Sequence, residues 1–264
     1  MKYPVLIPNI FDHPFTYESS LKLNQGDYVN VPFGKKTITG VIWNKFESNV
    51  KKKFEIKTIK NKLNIEPLKY QTVDFLNWFS EYNLVPLGMA LKLHLLTGKA
   101  IEKQKNSEYH KYQIEFNKEK FFLSEEQKKA FNDLVKQDNS FRVHLLQGTT
   151  GSGKTIVYFK AIEKIIYQGL QALILLPEIG LTGEFEKKFK KFFGFEAAVW
   201  HSKITPKKKK IIWSGLANGE IKVVIGARSA LFLPFKKLGL IVVDEEHDQS
   251  FKQDEGVIYN ARDM

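Results

Sequence analysis

The run Gly148-Thr149-Thr150-Gly151-Ser152-Gly153-Lys154-Thr155 has the residue types and spacing of a phosphate-binding loop. Glycines at these positions let the backbone wrap a polyphosphate with successive N–H groups pointing inward, and a helix beginning near Lys154 adds its N-terminal dipole. The Lys154 ammonium suits the β and γ phosphates, and the Thr155 hydroxyl suits a Mg²⁺ ion that keeps waters and phosphate oxygens around it. The expected cofactors are therefore ATP and Mg²⁺. A second cluster, Asp244-Glu245-Glu246-His247, follows the apolar run Leu240-Ile241-Val242-Val243. Ligand sites in open α/β sheets lie at the carboxyl ends of strands, which puts this cluster beside the glycine loop. Asp244 is the candidate Mg²⁺ partner, and Glu245 the candidate base that orients and deprotonates an attacking water.

Three further segments could serve the same chemistry. Ser124 followed by Gln127 is a capping-box pattern at a helix start, and Gln127 is also a candidate reader of an adenine edge. Pro177 to Thr182 and Gly226 to Phe232 each follow a strand, so Thr182, Arg228 and Ser229 are candidates for gripping the phosphates of a single strand. A structural ion pair is the competing reading of Arg228.

The elements that must position these groups follow from hydrophobic period. Beyond residue 120, strands alternate with helices, which implies parallel βαβ units with both sheet faces covered. The expected strands are Arg142 to Leu146, Ala172 to Leu176, Ala197 to Trp200, Lys222 to Ile225 and Leu238 to Val243. The last of these reads as a central strand buried on both faces. Helices are expected over Lys154 to Gln168, Gly183 to Phe193 and Pro206 to Ala217. Ahead of this unit, Tyr3 to Pro8 alternates as a strand, and Tyr28 to Val31 with Thr37 to Trp43 forms a hairpin pattern, together a small barrel or curved sheet. Two short helices fit between Leu68 and Leu96. Residues 99–120 are polar and aperiodic and read as a linker between units spanning 1–98 and 121–264.

Composition narrows the class. Apolar residues at 43% and charged residues at 27% are the balance of a folded globular chain. No apolar run approaches a membrane span, and the start of the chain lacks a secretory pattern, so no membrane partner is expected and the cytoplasm is the default. The absence of cysteine removes disulfides, thiolate nucleophiles and cysteine zinc sites. A formal net charge of +12 suits a phosphate-backbone partner. Lysine supplies nearly all of it, however, and the run Lys207 to Lys210 reads as a solvated helix face.

The motif series Gln147 to Thr155, Leu175 to Thr182 and Ile225 to Phe232 resembles, in order, that of the bacterial primosomal replication-restart helicases. Val243 to Asp248, with Ser250-Phe251-Lys252-Gln253 and Tyr259 to Asp263, is similar to that family's acidic box and its aromatic-rich loop, which implies DNA contacts for Phe251 and Lys252. The amino-terminal stretch looks like the family's 3′-end-binding domain. That likeness implies a terminal-nucleotide pocket with Phe15, Tyr17, Gly34 and Lys57, Thr16 standing where the family has an acid; Phe11-Asp12 offers a second register that keeps one. The fold implied is α/β, a RecA-like parallel-sheet ATPase lobe preceded by a small β-rich DNA-binding domain with a helical extension.

The resemblance further implies forked and single-stranded DNA, primosome proteins and single-strand-binding proteins as partners. Residues 99–120 are too short for the family's winged-helix module. A second ATPase lobe and a zinc-binding module are expected only downstream of Met264. None of Arg142, Arg228 and Arg262 is placed as an arginine finger, so this stretch is expected to hydrolyse ATP poorly by itself. A fork-binding module that binds ATP without unwinding is the alternative.

Overall fold

The structure, a computed structural model, describes residues 1–44, 56–95, 112, 121–136, 141–181 and 183–264. The amino-terminal strands are β1 (Lys2–Leu6), β2 (Phe15–Glu18), β3 (Tyr28–Phe33), β4 (Lys36–Ile42) and β5 (Asn61–Lys62), paired in the order β2-β1-β4-β3-β5. The hairpin expected from its turn residues is β3–β4, with Gly34 at φ +57° in the turn between Phe33 and Lys36. Residues 57–63 cross from one sheet edge to the other: Glu18 exchanges backbone hydrogen bonds with Lys57 and Ile59, Lys60 N–H donates to Asn30, and Leu63 N–H donates to Tyr28. This segment closes the sheet into a small barrel around Val5, Ile7, Tyr17, Val29, Val31 and Ile42. The two expected helices are α1 (Tyr70–Tyr82) and α2 (Leu87–His94), the latter capped by Asp12, whose Oδ1 accepts from Leu87 N–H at 2.8 Å.

The second unit contains α3 (Glu125–Leu134), α4 (Lys154–Tyr167), α5 (Gly183–Phe193) and α6 (Pro206–Asn218). Its strands β6 (Gln171–Leu175), β7 (Ala198–Trp200), β8 (Val223–Gly226) and β9 (Leu238–Val243) run parallel in the order β7-β8-β6-β9. The two-residue period of the strands sorts the core. Ala172 and Ile174 face α4 and α5 through Phe159, Ile162, Phe189 and Phe193, while Leu173 and Leu175 face α6 through Ile212, Trp213 and Leu216. The fold class read from the sequence, a parallel-sheet α/β lobe behind a β-rich amino-terminal unit, is the fold found. Two short strands, β10 (Lys252–Gln253) and β11 (Tyr259–Asn260), pair antiparallel behind the acidic cluster. Among the described residues no helix is long and apolar enough to cross a membrane.

Two strand expectations need correction. Residues 142–146 form no strand, and Val143 and Leu145 are 84% and 79% exposed. The strand Leu238–Val243 is the sheet's edge and not its centre, with Ile241 44% exposed. The two findings share one cause: a strand exists only through its ladder, and among the described residues no strand lies outside β9 to carry the sheet on toward residues 142–146.

The two units share one apolar cluster. Tyr28 and Leu6 of the barrel, Leu76, Phe79 and Leu91 of the helical pair, and Trp213, Phe232 and Tyr259 of the second unit are buried together. His94 is the polar knot at its centre. Its Nδ1 lies 2.8 Å from the Phe232 carbonyl and its Nε2 lies 2.8 Å from the Tyr28 hydroxyl, while its own carbonyl accepts from Trp213 Nε1 at 3.1 Å. A carbonyl only accepts, so Nδ1 carries the proton and Tyr28 donates to Nε2. Burial, partly opposed by the Phe232 carbonyl, lowers the His94 pKa to about 4. The expected linker, residues 99–120, lies outside the described residues except for Tyr112, which is buried in this same cluster.

Candidate nucleotide site and DNA-facing loops

The glycine loop bends where its glycines allow it. Gly151 and Gly153 stand at φ +81° and +82°, and a side chain on Gly148 would press on Ser152 Oγ at 2.7 Å. Gly153 is the N-cap of α4, so the loop delivers its N–H groups at the positive end of a 14-residue helix. The Lys154 ammonium donates to the Gly148 and Thr149 carbonyls at 2.7 and 3.1 Å, which aims it across the mouth of the loop. Ser124 and Gln127 form the anticipated capping box, and Gln127 Nε2 donates in addition to the Ser152 carbonyl at 2.9 Å. Gln127 thus ties the loop to the start of α3, its Oε1 accepting from Ser124 N–H and its Nε2 donating to the loop.

The acidic cluster begins where β9 ends. Asp244 N–H continues the ladder to the Leu175 carbonyl, and the chain then turns sharply, with Asp248 N–H donating to the Glu245 carbonyl. Glu245 makes the turn at φ +52°, a left-handed conformation that costs a residue with a side chain roughly 1–2 kcal/mol. Its side chain is exposed beside His247, and its N–H donates to Asp244 Oδ1 at 3.1 Å. Asp244 Oδ2 accepts from the Tyr158 hydroxyl at 2.8 Å, and the Thr155 side chain is that phenol's other polar neighbour. Burial first, then the neighbouring Asp244 charge, push the Tyr158 pKa far up, so the phenol keeps its proton as a donor. Thr155 and Asp244, 89 positions apart in sequence, therefore both lie against one side chain.

Hard oxygen donors from one hydroxyl and one carboxylate, beside a cradle of N–H groups, fit Mg²⁺ bound together with phosphates. Among the described residues there is no cluster of three or more His, Cys, Asp or Glu side chains to hold an ion, and a magnesium site completed by substrate oxygens needs none.

The structure distributes the expected DNA contacts unevenly. Ser229 and Arg228 lie on a short 3₁₀ turn, Arg228–Phe232, just beyond β8. The Arg228 guanidinium, however, is bonded to the carbonyls of Ser250 and Lys252, which ties that turn to the segment behind the acidic cluster. Phe251 is corrected to a core residue: at 1% exposure it is packed in the shared cluster, because alternation along residues 250–253 turns its ring inward and leaves Lys252 outside. Tyr17 is likewise interior, its hydroxyl donating to the Pro32 carbonyl across the barrel at 3.1 Å. Phe15 remains at the surface side of the barrel, edge-on to Phe33 at 5.5 Å and to Phe11 at 5.3 Å, with Gly34 next in sequence to Phe33. Lys57 is exposed and pairs by its backbone with Glu18 at the far end of β2. Asp12, the acid of the alternative register, is engaged as the cap of α2. Thr182 lies outside the described residues.

Tyr158 falls within the helix expected over Lys154 to Gln168, where no role is assigned to its hydroxyl. The available signal was its position three residues after Thr155, on the same helix face.

A glycine cradle at a helix N-terminus, beside an acidic strand end on a parallel sheet, is the arrangement of a nucleotide-driven motor lobe. Residues 124–264 match the DEAD/DEAH box helicase family, and the chain belongs to that family. Residues 4–95 match the 3′ DNA-binding domain, abbreviated 3′BD. Replication restart protein PriA of Rickettsia felis is 41% identical over 265 residues, covering 98% of this chain and 39% of that protein. The protein of the same name from Helicobacter pylori J99 is 38% identical over 256 residues, covering 95% and 38%. The one from Bacillus subtilis is 42% identical over 144 residues, covering 54% and 18%. The chain spans about two fifths of the length of the Rickettsia and Helicobacter relatives.

Proposed function

We propose that this chain is the fork-recognising and ATP-binding portion of a cytoplasmic replication-restart helicase, with a 3′-end-binding unit over residues 1–98, a connection over 99–120 and the first ATPase lobe over 121–264. The observation that carries the reading is the meeting of the two nucleotide motifs at one phenol, Thr155 from the glycine loop and Asp244 from the acidic strand end. In this reading the loop amides of residues 148–153 and Lys154 hold the polyphosphate of ATP, and Gln127 braces the loop beside it. Thr155 and Asp244 hold Mg²⁺, which when bound neutralises charge on the transferring phosphoryl group. Glu245, exposed and held forward by its left-handed backbone, orients and deprotonates water.

For the amino-terminal unit, the likeness to the 3′ DNA-binding domain supports recognition of the 3′ end at a DNA fork. Phe15, Phe33 and the Gly34 turn form the accessible face for a terminal nucleotide, and Ser229 and Lys252 contact the single strand. Primosome and single-strand-binding proteins are the corresponding protein partners.

Two measurements on the whole chain test this. A fluorescent ATP analogue should bind saturably with Mg²⁺ and lose at least tenfold in affinity in Lys154→Ala; equal binding by the variant would remove the nucleotide assignment. Forked DNA with a 3′ hydroxyl should bind more tightly than the same fork ending in a 3′ phosphate, at a salt concentration that suppresses non-specific phosphate contacts. Equal affinity for the two forks would remove the 3′-end assignment.

A further inference from the structure

Asp244 is held at both carboxylate oxygens. Oδ1 accepts from the N–H of Glu245 at 3.1 Å, and Oδ2 accepts from the phenol of Tyr158 at 2.8 Å. The first of these bonds comes from the backbone and belongs to the turn. The second comes from a side chain 86 positions away in sequence, carried on α4 and almost fully withdrawn from solvent. The ring of Tyr158 is fixed in turn, packing edge-on against Phe159 at 5.2 Å inside the cluster that joins α4 and α5 to the sheet. The phenol therefore has one orientation, and the Thr155 side chain lies beside it. A surface tyrosine would leave both groups free to turn. This one is bonded to the carboxylate of one element and stands beside the hydroxyl of another.

We propose that Tyr158 is a positioning residue for the metal-binding end of the site, holding the Asp244 carboxylate and the Thr155 hydroxyl where a divalent cation on the nucleotide phosphates meets both. The proposal rests on the reading that Thr155 and Asp244 bind that cation. Outer partners that orient metal-binding groups are worth roughly 10–100-fold in metal affinity, which sets the size of the expected effect. The packing role of the ring is separable, because Tyr158→Phe keeps the ring and removes only the hydroxyl.

The test uses Mn²⁺ as a spectroscopic probe. Free Mn²⁺ is measured by electron paramagnetic resonance as it is titrated into the chain saturated with ADP, for wild type, Tyr158→Phe and Asp244→Asn, and ADP affinity is measured separately in EDTA. Tyr158→Phe is expected to weaken Mn²⁺ binding about tenfold while ADP affinity in EDTA stays within twofold and the circular dichroism spectrum is unchanged. Mn²⁺ binding within twofold of wild type in Tyr158→Phe, with Asp244→Asn impaired, overturns the positioning role and leaves the cation site standing. Unimpaired Mn²⁺ binding in Asp244→Asn overturns the cation site itself, and the proposal with it. A loss of metal-free ADP affinity as large as the loss of Mn²⁺ affinity in Tyr158→Phe assigns the hydroxyl to general packing and also overturns the proposal.

Discussion

His94 should make the stability of this chain fall steeply in mild acid. In the fold its pKa is lowered to about 4, against 6.5 for an exposed imidazole, chiefly because it is buried. The unfolded chain therefore takes up a proton as pH drops through 6.5, while the folded chain does not until near 4, so the unfolded state binds more protons in that window and stability rises with pH across it. One pKa unit corresponds to about 1.4 kcal/mol, and integrating the two titrations gives a loss of about 2 kcal/mol between pH 7.5 and 5 and about 3 kcal/mol by pH 4. That is a substantial part of a typical stability of roughly 5–15 kcal/mol. The measurement is urea unfolding at several pH values for wild type and His94→Gln, followed by tryptophan fluorescence, since Trp213 donates to the His94 carbonyl. The variant will be weaker at pH 7.5, because glutamine cannot reach the Tyr28 hydroxyl and the Phe232 carbonyl with the same geometry. Its pH slope between 6.5 and 4.5 should nevertheless be shallower by about 1 kcal/mol per pH unit. Parallel slopes for the two proteins would refute the assignment of His94 as a neutral, buried knot.

Three other outcomes follow from particular contacts. Phe251→Ala should destabilise the chain by about 3–5 kcal/mol in urea unfolding, as loss of a fully buried ring does, instead of acting selectively on DNA affinity. Glu245→Gly should have an unfolding free energy in urea at least about 1 kcal/mol higher than Glu245→Val, since φ +52° suits glycine and opposes a β-branched side chain. Gly153→Ala should weaken nucleotide binding at least tenfold in a fluorescence titration, because the new methyl group would collide with the Gln127 amide at a backbone angle of +82°.

What the sequence revealed depended on how far apart the interacting groups lie. The glycine loop, the Ser124–Gln127 capping box and helix α5 are written in a few consecutive residues, and they stand where expected. The residue types that bring β9 to its acidic end were equally plain, because parallel strands end on the ligand side of the sheet. Strand order is different in kind. Nothing in Leu238–Val243 distinguishes a central strand from an edge, since the apolar run is the same and only the neighbours differ. Phe251 and Tyr17 were read as ligand-facing from motif likeness, yet aromatic side chains near a site serve its core as readily as its surface. The hydroxyl of Tyr158 and the imidazole of His94 escaped notice because their partners lie 86 and 138 positions away.

The edge position of β9 has a thermodynamic consequence for the glycine loop. Among the described residues, 141–147 lead into the loop without a strand ladder, while on its other side the loop runs into α4 and meets the Gln127 amide. If phosphates closing the cradle fix backbone in this upstream arm, each residue fixed costs roughly 1–2 kcal/mol of entropy. Calorimetry would register this as a favourable enthalpy of nucleotide binding eroded by an unfavourable entropy. Any polypeptide strand that extended the sheet beyond β9 and fastened the arm in advance would remove part of that entropy loss, and so tighten nucleotide binding without touching the nucleotide.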